Sequence, residues 1–177
     1  MRRVLIVFVL AVLLIGCGIW LVNFVVVGRP LADARSADPR NDGISASAHY
    51  SHYVNPSVVV FDFECVSSQN SPMDVFRVFL QFAARMKDQR ISRVELAHHG
   101  VTKFLVPGEY FAQLGAEYGE QNPIYTIRTF PEHLYLPDGT PAYGTWTGGV
   151  LGVMTKQMDD FNDAQHKWYI DDLGAAQ

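Results

Sequence analysis

A strand, a long helix and a second strand follow one another within residues 57–97, and this order constrains the fold more than any other feature. Residues 57–63 form a β-branched and aromatic run of strand length, residues 72–88 repeat apolar side chains at helical spacing, and residues 91–97 return to a strand pattern. A β-α-β unit places its two strands in parallel within one sheet. The sequence therefore predicts an α/β or α+β fold with a mixed sheet of four or five strands, packed by two long helices and one short helix.

The helix at residues 72–88 has the clearest local signals. Ser71 is a natural N-cap, Pro72 fits the first helical position, and Asp74 lies three residues after the cap. The polar residues recur every three or four positions and form one narrow stripe: Asp74, Arg77, Gln81, Arg85 and Asp88. Because the rest of the helix is apolar, we expect a sheet to cover one side and a further element to cover another.

Residues 4–27 are almost uninterruptedly apolar, with Asn23 as the one clearly polar side chain. A helix of this length extends about 36 Å, which is enough to cross a hydrocarbon core of about 30 Å. Arg2 and Arg3 precede the run, and no charge lies within it. The pattern predicts that residues 1–27 are a transmembrane signal anchor.

Two other interpretations of this segment stay open. One is a cleaved signal peptide, although the apolar run is long and no small-x-small cleavage site is obvious. The other is a lipoprotein signal at residues 1–16, because Leu14-Ile15-Gly16-Cys17 resembles a bacterial lipobox. That resemblance implies lipidation of Cys17. Against it, the sequence stays apolar for about ten further residues, where lipoproteins usually become polar.

Positive charges are nearly balanced on the two sides of the apolar segment. Arg2, Arg3 and the terminal amine precede it, whereas Arg29, Arg35 and Arg40 follow it. Acidic residues contribute little to the positive-inside effect, so those among the later arginines do not decide the orientation. A short basic tail before an apolar segment is typical of a signal anchor. We therefore expect a single-pass protein of the inner (cytoplasmic) membrane, with its domain facing the periplasm or the exterior.

Residues 28–48 are rich in Ala, Ser, Asp, Arg, Gly and Pro and show no periodicity, which predicts a flexible linker. Such a linker would span roughly 25 Å and let the domain stand clear of the bilayer. Residues 49–177 are then a single soluble α/β domain, long enough to have its own core. On this interpretation the linker adds no core side chains, so deletion of residues 1–30 is expected to leave a folded domain.

The second half of the chain adds strands and helices to the β-α-β unit. Residues 101–106 form a strand that pairs with residues 91–97 across a turn at Gly100, and residues 109–118 fit a short helix. Residues 124–130 alternate in the manner of a strand. The last predicted elements are a hairpin and a long helix: residues 134–136 with 142–143 around a turn at 137–140, and residues 147–170.

Five ionisable side chains are candidates for a metal site, because carboxylates and imidazoles at strand ends can bind metals or transfer protons. Asp62 and Glu64 share one face near the end of the first strand, and His98 and His99 occupy the turn after the second. Together with His133 they would form the site of a metal-dependent hydrolase or a small-ligand sensor. The simpler interpretation is that Asp62, Glu64, His98 and His99 are solvated at the strand end and in the turn.

Aromatic side chains around the second hairpin are the other candidate site. Tyr135, Tyr143 and Trp146 lie in or just after the hairpin. Exposed aromatic residues of this kind suit contact with a protein or a glycan. They equally suit a lid that packs over the sheet, and the sequence does not separate these two roles.

Charge and cysteine content exclude several classes of function. The net charge is −4, and because residues 1–27 contain two arginines and no acid, the remainder carries −6. An acidic domain without a basic cluster argues against binding of nucleic acid and against an electrostatic grip on anionic lipid. Cys65 is alone outside the apolar segment, cannot form an intrachain disulfide there, and is predicted to be a small buried side chain at a strand end.

The sequence contains no G-x-S-x-G, H-E-x-x-H, dinucleotide-binding fingerprint or paired C-x-x-C. It therefore predicts no cofactor and favours a non-catalytic domain, tethered to a membrane of the cell envelope, that binds a protein partner or helps to assemble a complex. The metal-dependent hydrolase or small-ligand sensor is the alternative.

Overall fold

The structure is a computed structural model that describes residues 2–175. Its helices are α1 (Arg2–Asn23), α2 (Arg29–Ser36), α3 (Pro72–Met86), α4 (Gly108–Glu117), α5 (Pro123–Thr129), α6 (Val150–Gln165) and α7 (Asp171–Ala175). Its strands are β1 (Ile44–Ser51), β2 (Asn55–Val66), β3 (Arg93–His98) and β4 (Val101–Pro107). Short π-helical and 3₁₀ turns connect several of these elements: Phe24–Gly28, Pro39–Asn41, Phe130–His133 and His166–Ile170.

The four strands form one mixed sheet in the order β1-β2-β3-β4, which confirms the predicted fold class. β2 and β3 are parallel, as the β-α-β pattern predicts, and each has an antiparallel partner on its outer side. The β3–β4 turn at His99 and Gly100 has left-handed backbone at both positions, with φ of 49° and 78°. The sequence located this hairpin correctly because glycine accepts such a conformation at little cost.

Helix α3 begins with the predicted capping box. The Ser71 backbone N–H donates to Asp74 Oδ2 at 2.7 Å, and the Ser71 side chain also contacts this carboxylate. Apolar side chains of α3 then pack on one face of the sheet with an aromatic core around Phe79. The rings in contact with Phe79 come from several different elements: Phe61, Phe76, Phe111, Phe130 and Trp168.

The prediction of a flexible linker at residues 28–48 is wrong. Helix α1 continues through the π-helical turn into α2 as one helix, Val4–Ser36, and β1 follows after a short 3₁₀ turn. Val27, Leu31 and Ala34 are buried in the core, and the Arg85 guanidinium donates to the Asp33 carbonyl at 2.9 Å. The helix is long and apolar enough to cross a membrane. Because Val27, Leu31 and Ala34 are buried, the last turns of this helix belong to the domain.

Strand β1 was not predicted from the sequence, because its core side chains are small. Ile44, Ala46, Ala48 and Tyr50 point into the core, and the intervening serines and histidine point outward. Alanine and serine have low strand propensity and are common in linkers. The composition therefore indicated a linker, although buried and outward-facing residues alternate along the segment. The edge strand is nevertheless paired with β2 along its whole length.

Residues 124–130 are helical, contrary to the predicted strand. The Asn122 side chain accepts a hydrogen bond from the Ile124 N–H at 3.0 Å, and Pro123 occupies the first helical position of α5. This N-cap followed by proline is a helix-start signal that outweighs the alternation of the residues after it. The buried face of α5 carries Thr126 and Ile127.

The C-terminal elements match the sequence more closely. α4 covers nearly all of the predicted short helix, and α6 with its π-helical continuation covers most of residues 147–170. The predicted second hairpin reduces to two isolated bridges, Leu105–Tyr135 and Tyr135–Pro141, around a turn in which Gly139 has a φ of 86°. Trp168 and Tyr169 of the π-helical turn are buried against the sheet.

Because α2 packs in the core, substitutions in it should change the stability of the domain, whereas substitutions in a flexible linker should not. Leu31→Ala is expected to lower the free energy of unfolding of the full chain by about 2 kcal/mol, since it removes a buried side chain from the core. Denaturant unfolding in detergent micelles would measure the change. Ala32→Ser, at an exposed position of the same helix, is the matched control. Equal stabilities of the two variants would contradict the packing of α2.

Candidate functional site

The structure separates the five candidate metal ligands. Asp62 accepts the Gly100 N–H at 2.9 Å and so supports the β3–β4 turn, whereas Glu64 accepts the Ser45 hydroxyl at 2.6 Å. Phe63 and His98 are partners in the β2–β3 register, which places His98 on the helix-covered face, opposite to Asp62. His98 therefore lies on the opposite face of the sheet from Asp62.

The histidines are held by other partners. His98 is buried and contacts Asp172 Oδ2 through Nδ1 at 3.0 Å, and its ring packs against those of Phe63 and His99. Hydrogen bonds from Lys103 and His98 hold the pKa of the Asp172 carboxyl below its usual value. This arrangement attaches the start of α7 to the sheet.

His133 lies elsewhere in the fold. Its ring stacks on Tyr110 at a centroid distance of 3.7 Å, and burial lowers its pKa. Within residues 2–175, no group of three or more His, Cys, Asp or Glu side chains could hold a metal ion. The five candidates therefore do not form one site.

Cys65 is exposed, contrary to the predicted buried position. Phe63 is the last buried residue of β2, and the strand continues to Val66 beyond it. The strand pattern could not show where the helix layer over β2 ends.

The candidate aromatic residues are partly engaged within the protein. The Tyr143 hydroxyl donates to Asp163 at 2.7 Å, and the Trp146 indole N–H donates to Asp160 at 2.5 Å, so both hold residues 134–149 against α6. Tyr135 is half-buried and bridges to Leu105 of β4. These contacts are of the kind expected for a lid that packs on the domain. Part of the Trp146 ring remains exposed.

A groove between α3, α4 and α5, which we call the α3–α5 groove, is a further candidate site. Its cavity has a volume of about 430 Å³. The apolar part of its lining comes from all three helices: Met73, Phe76, Leu80, Leu114, Pro123 and Ile127. The polar rim is formed chiefly by Arg40, Arg77, Glu117 and Tyr118.

The two arginines at the rim are already paired with carboxylates. Arg77 contacts Asp74 at 2.6 Å and Asp38 at 3.7 Å, and Arg40 contacts Asp38 at 2.6 Å. Hydrogen bonds from Arg40 lower the pKa of Asp38 to about 2. Arg77 also donates to Asn41 Oδ1 at 3.1 Å. The rim is therefore close to neutral and carries little charge for an anionic ligand.

One wall of the groove is fixed by a chain of side-chain hydrogen bonds. Asn41 donates to Gln81 at 2.6 Å, and Gln81 donates to the Tyr118 hydroxyl at 2.9 Å. Asn41 also donates to the Ala34 carbonyl at 3.0 Å, which links this wall to the end of α2. Because the members of the chain satisfy one another, they hold this wall of the groove in place.

Sequence reasoning missed this groove for two local reasons. Arg40 and its carboxylate partner lie in the segment interpreted as a linker, and Ile127 lies in the segment interpreted as a strand. Two N-cap signals could have revealed both segments: Asp38 before Pro39, and Asn122 before Pro123.

The low pKa of Asp38 gives the stability a specific pH dependence. The folded pKa of about 2 lies below the free value of 3.8, so the unfolded chain binds a proton that the folded chain does not hold between these values. The contribution of Asp38 is therefore complete above about pH 4 and lost as the pH falls towards 2. We expect Asp38→Asn to lower the melting temperature at about pH 6 and to have less effect near pH 2.

Thermal unfolding of both proteins across this pH range would measure that difference. Asp42→Asn changes a nearby exposed carboxylate for which the described residues provide no ion pair, and it serves as the control. If the effect of Asp38→Asn is the same at both pH values, the ion pair does not stabilise the folded state.

The structure is a mixed α/β domain that continues from a long apolar helix and carries a largely apolar groove. No protein-family model matches the chain, and comparisons with curated proteins and with solved structures find no match. Its function is therefore inferred from its own geometry.

Proposed function

We propose that this chain is a membrane-anchored, non-catalytic binding domain of the cell envelope that holds an apolar segment of a protein partner in the α3–α5 groove. In this proposal α1 crosses the inner membrane as an uncleaved signal anchor, and the domain faces the periplasm or the exterior. The observation that carries the proposal is the groove itself, an apolar cavity of about 430 Å³ on a domain whose core includes the end of the anchor helix.

Helix continuity supports an anchor over a lipoprotein signal. Cys17 is exposed on a helix that runs without a break to Ser36 and enters the core at Val27. Cleavage before Cys17 would leave exposed apolar residues such as Trp20 and Leu21 on a stub fixed to the domain. Insertion of the intact helix in a bilayer covers these side chains.

The lining of the groove supports an apolar protein segment as the ligand. Aromatic residues, methionine and arginine are enriched at protein interfaces, and the groove presents Phe76, Tyr118, Met73 and Arg40 together. Binding hot spots are anchor side chains that fill such desolvated pockets. A small polar ligand would need several free polar groups, but the arginines are paired with Asp38 and Asp74.

The hydrolase or sensor alternative has weaker support. It requires the carboxylates of Asp62 and Glu64 to share a site with a histidine, and His98 lies on the other face of the sheet. Asp62 and Glu64 already accept hydrogen bonds from Gly100 and Ser45.

Site-specific photocrosslinking in native membranes tests the proposed partner site. Benzoylphenylalanine would replace Met73 or Tyr118, which line the groove and are partly exposed. We expect both positions to form one discrete adduct with the same second protein, as identified by mass spectrometry. The same label at Val101, an exposed position at the β3–β4 turn, is the matched control.

Two further variants separate the possible outcomes. Leu80→Trp fills the groove and is expected to abolish the adduct if the partner occupies the cavity. A label at Trp146 tests the aromatic loop as the contact surface instead. Adducts from Trp146 but not from the groove, equal adducts from Val101, or adducts with this chain alone would each overturn the proposed site.

A further inference from the structure

The turn between β1 and β2 is an exposed apolar tip with an unusual backbone. His52 and Tyr53 both have left-handed backbone conformations, with φ of 52° and 62°. The side chains of Tyr53 and Val54 are 54% and 63% exposed, although the Tyr53 ring stacks on His49 at 4.4 Å. Residues 52–54, here called the hairpin tip, therefore project an aromatic and an aliphatic side chain away from the core.

Asn23 of α1 holds the hairpin tip directly against the apolar helix. Its side-chain amide donates to the Tyr53 carbonyl at 2.7 Å and to the Ile19 carbonyl at 2.9 Å. Its side-chain oxygen accepts the Tyr50 N–H at 2.8 Å. Asn23 is only 5% exposed, so the one polar side chain of the apolar run is buried by the hairpin.

The position of Asn23 determines where the tip lies along the axis of α1. The apolar run ends at Val27, four residues later, which corresponds to about 6 Å along a helix. The tip therefore lies alongside the last turn of the apolar run. Trp20 and Phe24 are also exposed at this level, and their rings stack on each other at 5.4 Å.

We infer that the hairpin tip is inserted in the interfacial layer of the membrane and forms a second lipid contact beside α1. This inference rests on the proposed function, in which α1 spans the bilayer. Aromatic residues such as Tyr53 and Trp20 are enriched at the membrane–water interface, and Val54 favours the acyl side of that layer. If α1 spans the bilayer, lipid surrounds its last apolar turn. Because the tip lies against this turn, lipid also surrounds the tip.

Backbone polar groups of the tip are hydrogen-bonded within the protein, as contact with lipid requires. The Tyr53 N–H donates to the Tyr50 carbonyl at 2.7 Å, and the Val54 N–H donates to the Ser51 carbonyl at 3.4 Å. Together with the bond from Asn23, these contacts satisfy polar groups that would be costly to leave unpaired near lipid. The contact is apolar, which agrees with a domain that lacks the charge for an electrostatic grip on anionic lipid.

Depth-dependent fluorescence quenching tests the inference on the full chain in phosphatidylcholine vesicles. In a Cys17→Ala, Cys65→Ala background, Val54→Cys would be labelled with an environment-sensitive probe. We expect a blue-shifted emission that is quenched more by nitroxide lipids labelled near the headgroup than by those labelled near the chain end. Val101→Cys is the matched control, because it is a 57% exposed valine at the opposite end of the sheet, and its probe should be neither shifted nor quenched.

A third label separates failure of this inference from failure of the proposed anchor. Leu10→Cys lies in the middle of the apolar run and should be quenched by deeply labelled lipids if α1 spans the bilayer. Quenching at residue 10 without quenching at residue 54 would overturn the hairpin contact alone, whereas loss of both would overturn the anchor as well. A blue shift at residue 54 without quenching would mean that the tip contacts protein instead of lipid, which also contradicts the inference.

An Asn23→Leu variant tests the part played by the helix. It removes the side-chain bonds to Tyr50 and Tyr53 without adding charge to the apolar run. Quenching at residue 54 is expected to fall while quenching at residue 10 is retained. Unchanged quenching at both positions would show that Asn23 does not set the depth of the tip.

Discussion

Replacement of Phe79 by alanine is expected to lower the free energy of unfolding by about 3–5 kcal/mol. Phe79 is fully buried, and its ring lies 5.3 Å from that of Phe61, 5.5 Å from Phe111 and 6.0 Å from Phe130. Truncation would leave a cavity where the sheet and several helices meet, and rigid neighbouring rings on different elements cannot close it easily. Denaturant unfolding of the full chain in detergent micelles would measure the loss.

Tyr125→Ala is the matched control, because it removes an aromatic ring that is half exposed on α5. Its effect is expected to stay within about 0.5 kcal/mol, as for most surface substitutions. A loss below about 1 kcal/mol for Phe79→Ala would contradict a core centred on this side chain.

Gly115→Ala is expected to destabilise the domain by about 3 kcal/mol, the upper end for overpacking. A Cβ atom at residue 115 would lie 2.2 Å from the Ala83 carbonyl oxygen, and the clash is with backbone, not with the end of a flexible side chain. Helices α3 and α4 would have to move apart, and this movement would also deform the α3–α5 groove between them.

The control for this clash is Gly152→Ala in α6, where an added Cβ meets no atom within 4 Å. Because alanine is the better helix former, this change should be neutral or stabilising by up to about 1 kcal/mol. Thermal unfolding would compare the two variants. If Gly115→Ala is as stable as Gly152→Ala, α3 and α4 do not approach each other this closely.

Local sequence signals predicted the centre of the fold well. The capping box at Ser71, the wide apolar face of α3 and the β-branched run of β2 all favour the same structure, and Gly100 marks the β3–β4 turn. Each of these signals lies within a few residues of the element that it specifies. For that reason the parallel pairing of β2 and β3 could be predicted without any knowledge of the rest of the chain.

The errors fall where tertiary contacts decide the structure. α2 is polar by composition and is held by the burial of Leu31 and Ala34, while β1 is held by pairing with β2. In α5, Ile124 and Ile127 are three residues apart and fit the helical period, and the Asn122 cap marks the start of this helix. The α3–α5 groove combines residues from these misjudged segments, and for that reason it was not predicted.

Rigid attachment of the domain to α1 can be measured without new labelling sites. Cys17 on α1 and Cys65 at the far end of β2 are the two cysteines of the sequence, and both are exposed. Spin labels on these residues would be separated by roughly 40 Å, from the rise of the helix and of the strand. A variant with Asn23→Leu and Leu31→Asp removes the Asn23 hydrogen bonds and the buried Leu31 side chain that join helix and domain, and it is the control.

Double electron–electron resonance on the native sequence in vesicles would report the distribution of this distance. A continuous helix packed into the core predicts one narrow peak, which broadens in the control variant. A broad distribution in the native protein, equal to that of the control, would show a flexible linker at residues 28–48. Absence of Cys17 from the mature chain would contradict the anchor itself.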